Sequence, residues 1–589
     1  MKQFKYLLLG IVASILGFTS CNDDYMQKDP QTSITGNNFF KTPTDLQTYT
    51  NSLYDQLQYR REDLYSDNTI VASHETDLLI RGLLTPDNVS GWDKATWGKL
   101  RAINYFLVNA NNATGDQALI NNYIGIAKFF RASFYYDMIK RYGFAPWYSK
   151  PLAADDQEML TKTEDPRTLV VDSIMQDLDY AVNNVTAGSS RTRVTQYAAL
   201  ALMARVSLFE GTFRKYHSEI NLQNTANTYL EKAVWATNQL MNSGQFSITG
   251  IGAQGYALLC AGDLNSNKEA ILFVDFDRAL GKLNGNSAEV IDWGWNLSKS
   301  LADSYLKADG TPATSDPNYA TANYVDIFKN RDPRMGVTIM SPGYIKRGEV
   351  AAHIPDPTKG CFPQVKYYTN DPAFNNGGWT DQATDFPVFR YGETLLVNAE
   401  AKAELGTLTQ TDLDATVNKL RDRVNMPHMQ MDVPVDTVLQ NQYPAVSGNL
   451  KNVILEIRRE RRVELACEGF RYDDILRWAA GNLLNRPAEG AYFPGLGPVD
   501  LTGDGIPDIA ILAAPSSGDD QLGVKSRYYL KDANGNLANF RLSEGTKGTI
   551  RFTKDDSQPR NFQSPKCYYF PIPWDQIRDN PNLKQPMGW

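Results

Sequence analysis

The clearest ligand-like spacing in the chain lies at residues 500–508. Asp500, Thr502, Asp504 and Asp508 place side-chain oxygens at positions 1, 3, 5 and 9 of a loop, with Gly505 at position 6 for the sharp turn. Such oxygens suit a hard cation, and Ile506 would add its backbone carbonyl, so a structural Ca2+ is the expectation here. Position 12 is Ile511 rather than Glu, so the loop is not an EF-hand, and residues 508–512 after it read as a strand. The second chemistry is stacking. A flat aromatic ring in a loop can meet the apolar face of a sugar, with polar side chains around it. Trp92 follows Ser90-Gly91 at a loop-to-helix junction, Trp293 and Trp295 flank Gly294, and Trp379 follows Gly377-Gly378. An extended backbone at 293–295 would turn both rings to one side. Asp67, Asp77 and Arg81 precede Trp92 and could bond hydroxyl groups. Each Trp has a competing reading as a core or interface anchor, the better one for Trp97 and Trp478.

Catalytic patterns are missing. His74, His217, His353 and His428 are scattered, without metal or triad spacing, and no GxSxG, HExxH or P-loop is present. Gly250-x-Gly252-x-x-Gly255 has the dinucleotide-loop spacing but no surrounding βαβ unit. Asp155-Asp156 and Asp519-Asp520 read as loop charges, whereas a glycosidase needs two carboxylates about 5–9 Å apart in a cleft. The chain therefore reads as a non-enzyme. A net charge of −8 excludes a nucleic-acid or anionic-membrane surface as the main partner, and 31 Tyr, 25 Phe and 10 Trp supply ample stacking surface.

Several kinds of element must position these groups. Lys2 and Lys5 precede an apolar run at 6–18, too short to span a membrane, and Phe18-Thr19-Ser20-Cys21 follows. Small residues before Cys21 resemble a lipobox, in which Cys21 is acylated and becomes the first residue. Cys260, Cys361, Cys467 and Cys567 show no CxxC spacing, so neither a zinc site nor a disulfide framework is expected. Helical periodicity predicts helices at 44–57, 92–110, 123–142, 166–182, 195–209 and 226–241. The texture then turns Gly-, Asn- and Pro-rich from 246 to 387, with β-like runs at 270–276 and 364–368. Helices return at 390–405 and 412–424. Ala198, Ala199, Ala201 and Ala204 permit close helix packing, so the helices suggest degenerate tetratricopeptide-like hairpins without a strict 34-residue register.

The segment 453–478 holds the most specific pattern. It reads as two helices joined at Gly469, with Glu456 and Glu460 placed to pair at i,i+3 with Arg458, Arg459 and Arg462, on a charged face whose acids cancel most of its positive charge. Arg458-Arg459-Glu460, Glu464-Leu465, Glu468-Gly469, Arg471, Asp474 and Arg477-Trp478 together resemble the helix pair of the SusD/RagB family of nutrient-binding surface lipoproteins. Arg131, Tyr142, Gly143 and Pro146, then Asp332-Pro333-Arg334, then Arg390, Tyr391, Glu393 and Glu400, and the ending 568–589 extend that resemblance over every major block.

The resemblance implies a mainly α fold: a tetratricopeptide-like helical-repeat scaffold with a large loop-rich insertion and few short strands. It divides the chain into a lipoprotein signal peptide (1–20), a lipidated tether (21–43), an N-terminal scaffold (44–245), an insertion (246–387) and a C-terminal helical and loop-rich part (388–589) of one unit. It implies an outer-membrane, outward-facing glycan-binding protein, held by lipid alone, that serves as lid to a SusC-like TonB-dependent barrel. It also brings the Trp92 neighbourhood forward as a ligand contact. Asn22-Asp23-Asp24 resembles the family's surface-export signal. A peptide-binding scaffold and a glycoside hydrolase are the alternatives.

Overall fold

The structure is a computed structural model that describes residues 39–589 apart from 72–73, 286–289 and 292–294. Cys21, the signal segment, the export-signal residues and Trp293 therefore lie outside the described residues.

Helix α1 (Pro43–Asn51) opens on Thr42, whose hydroxyl and Asp45 cap each other reciprocally. α2 (Lys94–Asn109) opens on Asp93, and α3 (Gln117–Tyr142) closes on Gly143 at φ +82°. A Cβ at Gly143 would lie 2.6 Å from the ring of Tyr569, so both the left-handed turn and the close approach require glycine. α4 (Arg167–Asn184), α5 (Gln196–Tyr216) and α6 (Ala226–Asn242) follow. α3 packs on α4 and α5 on α6. The small residues of α5 do what their sequence suggests: Ala198, Ala199 and Ala204 are buried, and a Cβ at Gly211 would meet Leu230 of α6 at 2.8 Å.

β1 (Ala270–Val274) pairs antiparallel with β2 (Phe386–Arg390), which closes the insertion where it leaves and rejoins the scaffold. The second β-like run is not a strand. Gln364 makes an isolated bridge to Ile339, and Tyr367 turns to φ +73°. Gly250 and Gly255 press backbone to backbone, since a Cβ at Gly250 would come within 2.3 Å of Gly255 Cα; their spacing serves packing, not phosphate.

β2 runs into α7 (Tyr391–Leu405), which packs on α6. The helix expected over 412–424 breaks at Thr416 (φ −128°, ψ −92°), leaving the short helix Gln410–Ala415 before α8 (Val417–Arg423). α9 (Lys451–Glu464) and α10 (Arg471–Arg477) form the pair read from the sequence, with Gly469 at φ +77° in the corner. Asp63 clamps that corner by accepting the N–H groups of Cys467 and Gly469 at 2.7 and 3.0 Å; burial raises its carboxyl to about 6. Beyond it, β3 (Tyr492–Phe493), β7 (Phe540–Leu542) and β8 (Gly548–Phe552) form one sheet. β4 (Gly497–Val499), β5 (Ile509–Leu512) and β6 (Ser526–Tyr529) form another, with β5 and β6 parallel. The strand expected after the Asp500 loop is β5. Cys260, Cys361, Cys467 and Cys567 are buried free thiols.

α9 departs most from its sequence reading. Its charges face inward: every residue from Val453 to Glu464 is buried. Only Arg459 and Glu456 make an i,i+3 pair, at 3.5 Å. The other partners come from far along the chain. Glu464 accepts from Arg334 at 2.8 Å and Arg390 at 2.9 Å, and also from Arg423. Glu460 accepts from Arg334 and Arg421 at 2.6 and 2.9 Å. Arg461 donates to Asp474 at 2.9 Å, and Arg477 donates to Glu400 at 2.5 and 2.8 Å. Arg458 lies with its guanidinium 4.3 Å from the ring of Trp478, the core residue the sequence suggests. Burial alone would raise the pKa of Glu464, but Arg423, Arg390 and Arg334 outweigh it and hold the carboxyl well below the usual range. Alternation of charge could not reveal this, because a solvated face and an ion-paired interior look alike in one sequence.

Candidate functional site

Trp92 is a core residue, 4 % exposed. It precedes the N-cap Asp93 and meets Trp97, one turn into α2, edge-on at 5.1 Å, with Tyr142 at 4.8 Å on another side. That is a hydrophobic staple, which fixes how the chain enters the helix, so the ring is not available to a sugar. Asp67 is equally engaged. It accepts from Arg471 at 2.7 and 2.9 Å and from Arg462 at 3.2 Å, with 11 % of its side chain exposed. Asp77 and Arg81 pair with each other at 2.8 Å, and then with Lys554 and Asp555, tying the short helix His74–Ile80 to the C-terminal part. All three predicted hydroxyl ligands are ties between distant segments.

The Asp500 loop does not gather its oxygens round a point. Asp500 accepts the N–H groups of Gly503 and Gly505 at 2.6 and 2.8 Å, and Asp504 accepts that of Ile506 at 2.8 Å. Asp508 turns inward to the N–H groups of Leu501 and Thr502 at 2.9 and 2.8 Å. Thr502 is buried and Ile506 is exposed. Among the described residues no group of three or more His, Cys, Asp or Glu could hold a metal ion. The residues present therefore do not fit a Ca2+ site; the turn is closed by Asp-to-backbone bonds. Thermal melts with and without EDTA are expected to coincide. A fall in Tm on chelation, reversed by Ca2+, would reinstate the metal through mass action.

The remaining tryptophans stand on the insertion. A small core of Cys260, Val290, Ile291, Met340, Val365, Tyr367 and Phe386 lies beneath it, and Tyr59, Phe276, Trp295, Tyr344 and Tyr368 pack half-buried around that core. Trp295 is held by its backbone: its N–H donates to Val290 O at 3.2 Å and its carbonyl accepts from Gln364 N at 2.9 Å. The Arg61 guanidinium sits 5.7 Å from its ring centroid. Tyr344 and Tyr368 lie 6.4 Å apart at 65°, and the Tyr368 hydroxyl accepts from the Arg347 N–H at 3.2 Å. The loop 371–382 carries Trp379, which is 54 % exposed. That loop is bound to the segment before Trp295 by paired Asn284–Gln382 backbone bonds of 2.8 and 3.1 Å and an Arg278–Asp381 ion pair. Arg347 lies against Gly377, where a Cβ would come within 2.7 Å of its guanidinium.

Trp295, Tyr344 and Tyr368 thus pack on one small core, with Arg61 beside Trp295 and Arg347 between Tyr368 and the Trp379 loop; the sequence singles out neither tyrosine and neither arginine. The signal was faint: Tyr367 and Tyr368 part ways, the first stacked on Phe386 at 5.1 Å and the second at the surface. Carboxylates near the face are already engaged. Asp371 accepts Ala373 N at 2.9 Å, and Glu349 meets His353 at 2.9 Å. Asp385, raised to about 6 chiefly by burial, accepts Leu264 N and Phe276 N at 2.9 and 2.8 Å. Tyr59, which stacks on Phe386 at 4.7 Å, also walls a neighbouring cavity of about 350 Å3 lined by Tyr65, Phe129, Tyr136 and Tyr472. Among that cavity's cations, Lys140 and Arg205 are paired with Asp473 and Glu393.

The molecule is thus a helical scaffold whose loop-rich insertion carries partly buried and exposed aromatic rings. The SusD family model matches residues 277–589, more than half of the sequence, and the chain belongs to that family. It is 25 % identical over 511 residues to SusD-like protein P38 of Formosa agariphila, covering 81 % of this chain and 92 % of that protein. SusD-like protein P2 of the same organism is 24 % identical over 514 residues, covering 82 % and 92 %. Among solved structures, a SusD-like carbohydrate binding protein from Bacteroides fragilis superposes with a TM-score of 0.69 at 23 % identity, over 93 % of this chain and all of that one. A second SusD-like protein from Bacteroides fragilis gives 0.67 at 21 %, over 95 % and 100 %. Those two likenesses are ones of fold, and they agree with the mainly helical, tetratricopeptide-like scaffold read from the sequence.

Proposed function

We propose that this protein captures a glycan on the aromatic face of its insertion, without cleaving it, and hands it to a TonB-dependent barrel in the outer membrane. The observation that carries this reading is the partly buried set of Trp295, Tyr344 and Tyr368 over one small core, with Trp379 exposed on the adjoining loop. Rings held from behind can stack on a sugar with little loss of side-chain entropy. Arg347, beside Tyr368 and Gly377, supplies donors for hydroxyl groups. The name of the Bacteroides fragilis structure, a SusD-like carbohydrate binding protein, supports the ligand class. No helix among the described residues is long and apolar enough to cross a membrane; the attachment in this reading is a lipid at Cys21, with the protein facing outward. Membership of the SusD family supports the barrel as partner.

The test is calorimetric titration with the cognate polysaccharide. Trp295→Ala and Trp379→Ala should each weaken binding by on the order of 2 kcal/mol, about thirtyfold, with melts close to wild type. Binding unchanged in both variants would remove the face from the account. Reducing-end release during the titration would replace capture with hydrolysis.

A further inference from the structure

The cavity of about 350 Å3 walled by Tyr59 lies across one chain segment from the aromatic face: Arg60 lines it, and Arg61, next in sequence, stands over the ring of Trp295. Residues 56–65, the middle of α3, the end of β2 and the α9–α10 corner frame it. Phe129, Phe130, Phe389 and Phe470 make much of its wall apolar. Gln56, Ser133 and Asp137 also line a chamber of about 90 Å3 beside it, so the space continues along α3 towards Thr96 and Lys99 of α2. Its size is at the lower end of the range of about 300–1,000 Å3 usual for ligand pockets, which suits a small ligand.

The polar groups of the lining divide in two. Every charged side chain is already engaged. Lys140 meets Asp137 at 3.1 Å and Asp473 at 2.9 Å, Arg205 meets Glu393 at 2.6 Å, and Arg390 meets Glu468 at 2.8 Å. Arg60 faces Glu62 at 3.5 Å, Arg141 reaches Glu75 at 2.8 Å, and Asp63 holds the N–H groups of the corner. The neutral groups are the reverse. The hydroxyls of Tyr65, Ser133 and Tyr136 and the side-chain amide of Gln56 make no hydrogen bond among the described residues. Tyr136 is only 6 % exposed; Phe209 and Lys140 pack on its ring and leave its hydroxyl unmet. A hydroxyl held so deep without a partner costs free energy until something enters to bond it.

We propose that this cavity is a second sugar site, for a neutral mono- or disaccharide. Hydroxyls and an amide both donate and accept, as sugar hydroxyls do, and the rings offer apolar surface to the C–H side of a sugar. With the charges paired among themselves, nothing in the wall selects an ionised ligand. That sugars are the ligand class rests on the glycan-binding reading above; that a small neutral molecule enters here rests on the cavity alone.

The experiment is calorimetry on the purified protein with glucose, galactose, mannose, xylose, maltose, cellobiose and lactose as neutral probes, and glucuronate and p-cresol as comparisons. At least one neutral sugar should bind with a Kd of about 1 mM or tighter, equally at low and high salt. Glucuronate and p-cresol should bind at least about tenfold more weakly. Tyr136→Phe, which removes only the unbonded hydroxyl, should weaken that sugar by about three- to tenfold with an unchanged melt, and Ser133→Ala should do the same. Trp295→Ala should leave it as in wild type while polysaccharide binding falls. If no neutral sugar binds, or if it binds both hydroxyl variants as it binds wild type, the proposal is overturned. So it is if p-cresol binds as tightly as the best sugar, which marks an apolar phenol pocket, or if Trp295→Ala loses the small sugars, which puts them on the aromatic face. Small-sugar binding that depends on Tyr136, in a protein whose polysaccharide binding ignores Trp295, upholds the cavity and overturns the aromatic face, so each reading can fail alone.

Discussion

Glu464→Gln should cost about 3–5 kcal/mol of folding stability, the usual result of removing one partner from a buried ion pair. The neutral amide leaves three guanidinium groups facing a site they were built around. Arg334 retains Asp332 and Glu460, and Arg390 retains Glu269 and Glu468, but Arg423 keeps Glu269 alone. The pH dependence gives a second readout. Because the folded-state pKa of Glu464 is depressed, its contribution is complete above the ordinary glutamate range and is lost as pH falls towards the folded value. Wild type should therefore lose stability steeply in acid, and Glu464→Gln less steeply. Glu544→Gln, at an exposed pair with Lys547 at 3.5 Å, is the control and should change stability by under about 0.5 kcal/mol. Urea melts from pH 3 to 7 decide it. Equal effects of the two substitutions would mean that the α9 network is solvated.

Trp92→Ala should cost about 3–5 kcal/mol as well, by another route: a large ring leaves a packed site and a cavity remains. The staple to Trp97 and the contact with Tyr142 go together. Glycan affinity, measured at a temperature where the variant is still folded, should stay as in wild type. Lost affinity with an unchanged melt would return Trp92 to the ligand site.

The long helices were legible because their apolar spacing and caps are local signals: Thr42 and Asp93 both cap where a polar residue precedes the helical pattern. The identity of α9 and α10 as a pair was legible too, but not their burial. Whether Arg458 faces water or Trp478 depends on residues far away in sequence, such as Tyr216 and Glu404. The candidate site was legible only in part for the same reason. Trp295 and Trp379 stood out as rare rings in loops. Tyr344, Tyr368, Arg61 and Arg347 come from separate segments and meet only once the insertion has folded over its small core. Trp92 misled because a ring beside Ser90-Gly91 looks loop-borne, when the residue before an N-cap commonly packs inward. The Asp500 loop misled because carboxylates spaced for a cation are also spaced to accept backbone N–H groups.

The charged interior of α9 also sets an order on assembly. A chain made from its N-terminus can pair α3 with α4 and α5 with α6 from near neighbours. α9 cannot be buried on those terms, because its carboxylates and guanidiniums would enter the interior unpaired. It must wait for Asp67, Arg334, Arg390, Arg421 and Arg423 to be held in place together, partners that lie 39 to 395 positions from it in sequence. Contacts so distant in sequence form slowly. Until they form, the segment with the most charges per turn stays in water, where it resists the sticking that an apolar helix of the same length would invite. Only the last docking step makes the interior dry, so the C-terminal strands and the helical scaffold should be lost together in one unfolding transition.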